Sequence, residues 1–237
     1  MPIVSVITCA FRLRFLQDAA RSLWEQTFTA WEWVVVIDGH GEDCAAIATW
    51  VQTLHDDRVR TVTTVAPEGH GVYAWNVAGL NLGLRVARGE LIAFLDDDNL
   101  YYSDCLQRAI AYHGETGVDM VYWDQHCVKL FDGVHGGSVL CGLYRKAFYP
   151  EYFDLSVLRN INFIDLNAVL GRRTVLQRGR FLTATPHAPD HGFFLQLAEG
   201  GATFQRLPEV LGQYRAWRNG GVAEWVLDAA DFPASYE

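Results

Sequence analysis

Three consecutive carboxylates, Asp96, Asp97 and Asp98, follow directly on the apolar run Leu91-Ile92-Ala93-Phe94-Leu95, with Asn99 next in line. Adjacent ionised carboxylates repel one another, and the crowding is relieved by a cation or by hydrogen-bond donors. Hard divalent ions such as Mg²⁺ and Mn²⁺ favour oxygen ligands and commonly share them with phosphates. On an extended segment alternate side chains share a face, which would turn Asp96 and Asp98 one way and Asp97 the other. A solvated acidic turn that also caps the next helix is the other reading, and the position after a buried strand favours the metal. Asp38 closes a second apolar run, Trp33–Ile37, ahead of Gly39. A carboxylate at such a strand tip can accept from a nucleobase N–H or from ribose hydroxyls. The same dipeptide also makes a simple Asp-Gly turn.

The elements that must position these groups follow from hydrophobic period. Strands are expected at Ile3–Thr8, Trp33–Gly39, Arg58–Val65 and Leu91–Leu95, and helices over 13–26, 42–54, 73–87 and from a Ser103 cap to about residue 113. Regular alternation of strand and helix is the pattern of an α/β layer fold, and near-continuous apolar strands suit a parallel sheet covered on both faces. Ligands of such sheets sit beyond the carboxyl ends of the strands, where Thr8, Asp38 and Asp96–Asp98 would converge. Beyond residue 118 the pattern changes. One or two short strands are expected over Val118–Val128, a loop over 132–138, short helices over 154–159 and 172–178, a helix over 188–199 starting near Asp190, and a strand Thr203–Leu207 ahead of Pro208. No composition break resembles a linker, so residues 1–237 are read as a single domain.

The chain of 237 residues carries a formal net charge of −9, which argues against a nucleic-acid partner or an anionic membrane surface. Its five cysteines are scattered, without Cys-x-x-Cys or zinc spacing, and no window reads as a signal peptide or an integral membrane segment. A cytoplasmic protein is the resulting expectation. His187 and His191 border the Asp190 region. The first strand is not followed by G-x-G-x-x-G, and neither G-x-x-x-x-G-K-[ST] nor G-x-S-x-G occurs, so phosphates would need a metal rather than a glycine-rich loop.

In their order along the chain these residues resemble a GT-A fold glycosyltransferase, close to family 2 of the inverting enzymes. Val4-Ser5-Val6-Ile7-Thr8 with Phe11 is similar to that family's opening strand, and Ser22-Leu23-Trp24-Glu25-Gln26-Thr27-Phe28 to its S-x-x-x-Q-T-[FY] stretch. Val35-Val36-Ile37-Asp38-Gly39 resembles a V-D-D-G strand end, with Ile37 in place of the first Asp. Asn81-Leu82-Gly83-Leu84, Ala87-Arg88-Gly89-Glu90 and Leu95–Asn99 resemble the run that ends in L-D-x-D-[DN]. Asn162–Arg173 and Gly179-Arg180-Phe181 are similar to the segment before the family's catalytic helix. Asp190-His191-Gly192 with Leu195–Ala198 resembles that helix, with Pro189 where an acidic residue is usual and His191 where Trp is. Pro208, Leu211, Tyr214 and Arg215 match P-x-x-L-x-x-Y-R, and Trp217 stands where many members have His.

The resemblance implies an α/β GT-A fold: a mainly parallel central sheet with helices on both faces, a nucleotide-sugar-binding half over 1–117 and an acceptor-binding, catalytic half over 118–237. It implies a UDP-, GDP- or dTDP-linked sugar donor, with Thr8, Ala10, Phe11 and Asp38 at the base and Phe11 offering a stacking face. Asp96 and Asp98 would hold Mn²⁺ or Mg²⁺ on the diphosphate, with Asp97 completing the donor side. Asp190 would be the catalytic base for an acceptor hydroxyl, although an Asp at a helix start is also an ordinary N-cap. His191 and Trp217 would lie on the acceptor side, and Arg215 and Arg218 are read either as diphosphate contacts or as surface charges. Trp75 and Asn76, at the start of a helix facing the crevice, are donor contacts or core. The acceptor would be a saccharide, a lipid-linked chain or a small molecule. A catalytically silent nucleotide-sugar-binding or partner-binding subunit of the same fold is the alternative. A sugar-1-phosphate nucleotidyltransferase is disfavoured because its glycine-rich first loop is missing.

Overall fold

The computed structural model describes residues 2–38, 43–64, 72–131, 137–144, 150–183 and 188–217. Strands β1 (Val4–Ala10), β2 (Trp31–Asp38), β3 (Val59–Thr64) and β4 (Leu91–Phe94) alternate with helices α1 (Leu13–Trp24), α2 (Cys44–Gln52) and α3 (Val72–Val86). There follow β5 (Leu100–Tyr101), α4 (Cys105–Thr116), β6 (Met120–Phe131), β7 (Gly137–Tyr144), α5 (Leu155–Leu158), a 3-10 turn (Leu166–Ala168), β8 (Val169–Arg172), α6 (Arg173–Leu176), α7 (Pro189–Glu199) and β9 (Phe204–Trp217). One sheet runs through both halves of the chain in the order β3-β2-β1-β4-β8-β6-β9-β5, with β7 alongside β6.

The first four strands are mutually parallel, as their apolar runs predict. β8 then enters between β4 and β6, antiparallel to both, while β6 and β9 are parallel to each other. β5 and β7 add antiparallel pairings, so the second half is mixed. The apolar faces of α1, α2 and α4 cover one side of the sheet around Leu16, Leu23, Trp33, Ile47 and Leu106. α3 and α7 cover the other around Val77, Leu84, Phe193 and Phe194. No helix among the described residues is long and apolar enough to cross a membrane.

Several boundaries differ from expectation for identifiable reasons. Within Val118–Val128, residues 120–128 belong to one long strand, β6, which runs on to Phe131. The 132–138 loop falls partly outside the described residues, and β7 already begins at Gly137. β9 runs through Pro208 instead of stopping before it. The register against β6 jumps from Leu207 opposite Trp123 to Val210 opposite Asp124, so the proline sits in an irregularity that asks for no ladder N–H. Ser103 is not the cap of α4, whose cap position is Asp104 without a side-chain bond. The Leu106 amide is met instead by Gln26 Oε1 at 3.0 Å, while Gln26 Nε2 donates to Tyr102 O at 2.7 Å. Gly83 lets α3 lie close on the sheet, because a Cβ there would fall 2.4 Å from Ile7 Cγ2.

A polar joint closes the sheet at the end away from the acidic turn. Glu32, 4% exposed on β2, accepts from Ser5 Oγ (2.6 Å), Arg60 Nη1 (2.8 Å) and the Arg88 amide (2.7 Å), tying β1, β2, β3 and the α3–β4 turn together. Burial opposes ionisation of Glu32, but the hydrogen bonds from Ser5, Arg60 and Arg88 together outweigh it and hold the carboxyl below its ordinary range. A depressed carboxyl contributes stability that is complete above the unfolded-state value and is lost as pH falls through the folded-state value. The unfolding free energy measured in urea should therefore drop between about pH 6 and about pH 3. Glu32→Gln should flatten that slope and cost about 2–3 kcal/mol at neutral pH. An unchanged slope in the variant would remove Glu32 as its source.

Candidate active site

The site is built on the turn that ends β4. Leu95 still donates its amide to Ile7 O at 3.0 Å, and the chain then bends so that the Asn99 amide reaches Asp96 O at 3.2 Å. This turn replaces the extended geometry expected from the sequence, and the three carboxylates do not simply alternate. Arg12 Nη2, from the loop after β1, lies 2.8 Å from Asp98 Oδ2 and 3.6 Å from Asp97 Oδ1. Asp97 is 3% exposed, and its Oδ2 accepts from the amides of Phe11 and Arg12, each at 2.8 Å. Its carboxylate therefore holds the β1–α1 loop.

Asp96 is gripped from the other half of the chain. Its amide donates to Asn167 Oδ1 at 2.5 Å, and its Oδ2 accepts from Asn167 Nδ2 at 2.8 Å. The Asn167 amide and Nδ2 also donate to Asp165 Oδ1, at 2.8 and 3.1 Å. Arg215, 8% exposed on β9, donates its amide to Asn99 Oδ1 (2.8 Å), Nε to Asp98 O, and Nη1 to Asp18 Oδ2 on α1 (2.9 Å). It is thus a buried clamp on the turn, not the surface charge that was one of its two readings.

Even with these donors the cluster retains excess negative charge. Burial first, then repulsion from Asp98, lifts the Asp96 carboxyl to about 7. Burial and Asp98 lift Asp97 to about 6 against the pull of Arg12. Burial raises Asp98 too, opposed by Arg12 and Arg215. Among the described residues no three His, Cys, Asp or Glu side chains converge into a closed metal cage. Mg²⁺-type sites that serve phosphates need only one or two protein carboxylates, with the remaining ligands from phosphate and water. Asp96 and Asp98, incompletely neutralised, fit that share.

Asp190 is the second residue of α7, after Pro189 in the first position, where a missing N–H costs nothing and the helix field favours a carboxylate. Its Oδ1 accepts from Asn162 Nδ2 at 3.1 Å and from the His191 amide at 2.8 Å. Asn162 and Asn167 are five residues apart, so the backbone points that hold Asp190 and Asp96 lie at most about 18 Å from one another. One short segment therefore carries both carboxylates.

The remaining expected site residues divide. Thr8 is fully buried, and its Oγ1 accepts from Trp33 Nε1 at 2.8 Å, so its hydroxyl turns inward instead of meeting a base. The Ala10 side chain is buried in the same core. Phe11 is half-buried against the α3-side core. Asn76 is half-buried with its Oδ1 unpartnered. Asp38 ends β2 opposite Thr64. The side chains of Asp38, Trp75 and Trp217, and the whole of His187 and Arg218, lie outside the described residues. His191 is 1% exposed, its Nε2 meets Leu158 O, and it shares the inward stripe of α7 with Phe194 and Ala198, so it ties α7 to α5. The sequence reading missed Arg12, Asp165 and the roles of Asn162 and Asn167. Arg12, Asn162 and Asn167 are single polar residues whose partners lie far away in sequence, and no local spacing marks them.

The family profile described as glycosyl transferase family 2 matches residues 5–178, well over half of the chain. The chain belongs to glycosyl transferase family 2. The O-antigen biosynthesis protein RfbC of Myxococcus xanthus is 25% identical over 214 residues, which is 89% of this chain but 16% of that protein. The glycosyltransferase MJ1057 of Methanocaldococcus jannaschii is 21% identical over 222 residues, 90% of this chain and 71% of that protein. Among solved structures, S. aureus TarS in complex with UDP-GlcNAc superposes with a TM-score of 0.69 at 18% identity, covering 93% of this chain and 60% of that one. The mannosyltransferase PcManGT from Pyrobaculum calidifontis, in complex with GDP-Man and Mn²⁺, gives 0.66 at 20% identity, covering 94% and 59%. This family 2 chain therefore has the GT-A fold, and it spans only part of the length of most of these proteins.

In this family 2 chain the Asn167 clamp can be tested directly. Asn167→Ala leaves the Asp96 amide and Asp96 Oδ2 without their side-chain partner in a buried site, and should lower the unfolding free energy by about 2–4 kcal/mol. A loss below about 0.5 kcal/mol in urea denaturation would show that water replaces the clamp at no cost.

Proposed function

We propose that the chain transfers a sugar from a nucleoside-diphosphate sugar to an acceptor hydroxyl with inversion, assisted by Mn²⁺ or Mg²⁺. The reading is carried by two carboxylate groups held by one short segment: the Asp96–Asp98 turn through Asn167 and Asp190 through Asn162. The family and the GT-A fold support it. So do the ligands named for two structural neighbours, UDP-GlcNAc in TarS and GDP-Man with Mn²⁺ in PcManGT.

Asp96 and Asp98 would hold the divalent ion, which when bound supplies Lewis-acid stabilisation of the departing diphosphate. Arg12 stands beside Asp98 and keeps part of the turn's charge balanced. The Asp97 carboxylate fixes the amides of Phe11 and Arg12, and with them the loop on which Phe11 would meet the base. Asp190 accepts the proton of the acceptor hydroxyl while that oxygen forms its bond to the anomeric carbon. The bond from that carbon to the phosphate oxygen breaks on the opposite side, and its electron pair leaves with the nucleoside diphosphate. A single displacement of this kind inverts the anomeric centre.

A thermal-shift panel of UDP-GlcNAc and GDP-mannose, each with and without Mn²⁺, tests the binding half. Saturating donor at about 100 times its Kd should add about 2.7 kcal/mol, seen as a rise in Tm that is larger with the metal. No stabilisation by either donor under any condition would remove the reading. Donor hydrolysis tests the chemical half: Asp190→Asn should lower kcat by about 100-fold or more with donor binding retained. Binding without turnover in the wild type would identify the silent subunit instead.

A further inference from the structure

We propose that Asn162 is a positioning residue for the transfer step, its side-chain amide fixing the carboxylate of Asp190 against the incoming hydroxyl. The proposal rests on the reading of Asp190 as the base. Acting as a base, Asp190 is ionised and only accepts hydrogen bonds, so the NH₂ end of Asn162 must be the end that faces it. That contact is 3.1 Å long and falls on Oδ1, which also takes the His191 amide at 2.8 Å. Two donors from different elements converge on one oxygen and set the rotation of the carboxylate about its Cβ–Cγ bond.

The other end of Asn162 argues that the residue is kept for this donor. Its Oδ1 is buried and has no hydrogen-bond partner. Buried polar atoms in folded proteins are nearly always satisfied, and an orphan calls for an explanation other than packing. The backbone around it is also anchored. The Ile161 amide donates to Val157 O at 2.9 Å, and Phe163 and Ile164 are fully buried, so the amide is delivered to Asp190 from a rigid support. Positioning of this kind matters because misplacing a reacting group by an ångström can cost on the order of 100-fold in rate.

The test uses the full chain with Mn²⁺ and whichever of UDP-GlcNAc and GDP-mannose stabilises it, reading donor hydrolysis and Tm. Asn162→Ala and the isosteric Asn162→Asp should each lower kcat by about 10- to 100-fold with the donor KM within about twofold of wild type. Asn162→Gln, which keeps the amide, should recover part of the loss. If both first variants keep kcat within about twofold of wild type while Asp190→Asn is inactive, the role of Asn162 is overturned and the base reading stands. If Asn162→Gln is as impaired as Asn162→Ala and all three variants lose Tm in proportion, the residue is structural and the proposal is equally overturned. Full activity in Asp190→Asn would instead overturn the base reading beneath it.

Discussion

The paired hydrogen bonds between Asn167 and Asp96 are the contact on which the site depends. A carboxylate at the end of a buried strand needs donors, and Asn167 supplies one to the side chain while accepting from the backbone amide of the same residue. That grip joins β4, from the first half of the chain, to the segment that leads into β8. Because β8 is inserted between β4 and β6, the grip also sits where the parallel half of the sheet meets the mixed half. Five residues earlier the same segment holds Asp190 through Asn162. The acidic turn and the head of α7 are thereby fixed to one short piece of backbone, whose middle is the buried pair Phe163 and Ile164.

Charge balance around the turn comes from opposite ends of the chain. Arg12 approaches from the first loop and Arg215 from the last strand. The Arg12 side chain is 41% exposed, so solvent screens much of its attraction. Arg215 is buried, but its guanidinium is shared with Asp18 and with backbone oxygen. Burial is the first cause that raises the carboxyls of Asp96 and Asp97, and repulsion from Asp98 adds to it.

Motif residues that surround this site turn out to be joints. Gln26 meets the first turn of α4 and the Tyr102 carbonyl. Asn81 holds the Phe181 backbone at both ends, donating to its carbonyl at 2.9 Å and accepting from its amide at 3.1 Å. Phe181 in turn stacks on Phe193 of α7 with ring centroids 4.0 Å apart and packs edge-on against Phe94 of β4. The helix that carries Asp190 is thus registered against the strand that carries Asp96 through aromatic contacts, independently of the polar segment between them.

The sequence by itself determined the layer architecture. Apolar period separates the parallel strands from their covering helices, because burial on both faces leaves a continuous signature in residues such as Val34, Val35 and Val36. It also determined which strand ends carry acid, since Asp96–Asp98 and Asp38 stand where the apolar runs stop, and it placed Asp190 at a helix start. What the individual groups face was decided by the tertiary structure. Asp97 and Asp98 are alike in sequence, and only the approach of the β1–α1 loop turns one into a loop cap and leaves the other beside Arg12. His191 reads as an active-site neighbour until the rotation of α7 carries it into the core. Asn162 and Asn167 carry no local signal, because their partners are 28 and 71 residues away and a hydrogen bond across that separation leaves no period in the chain.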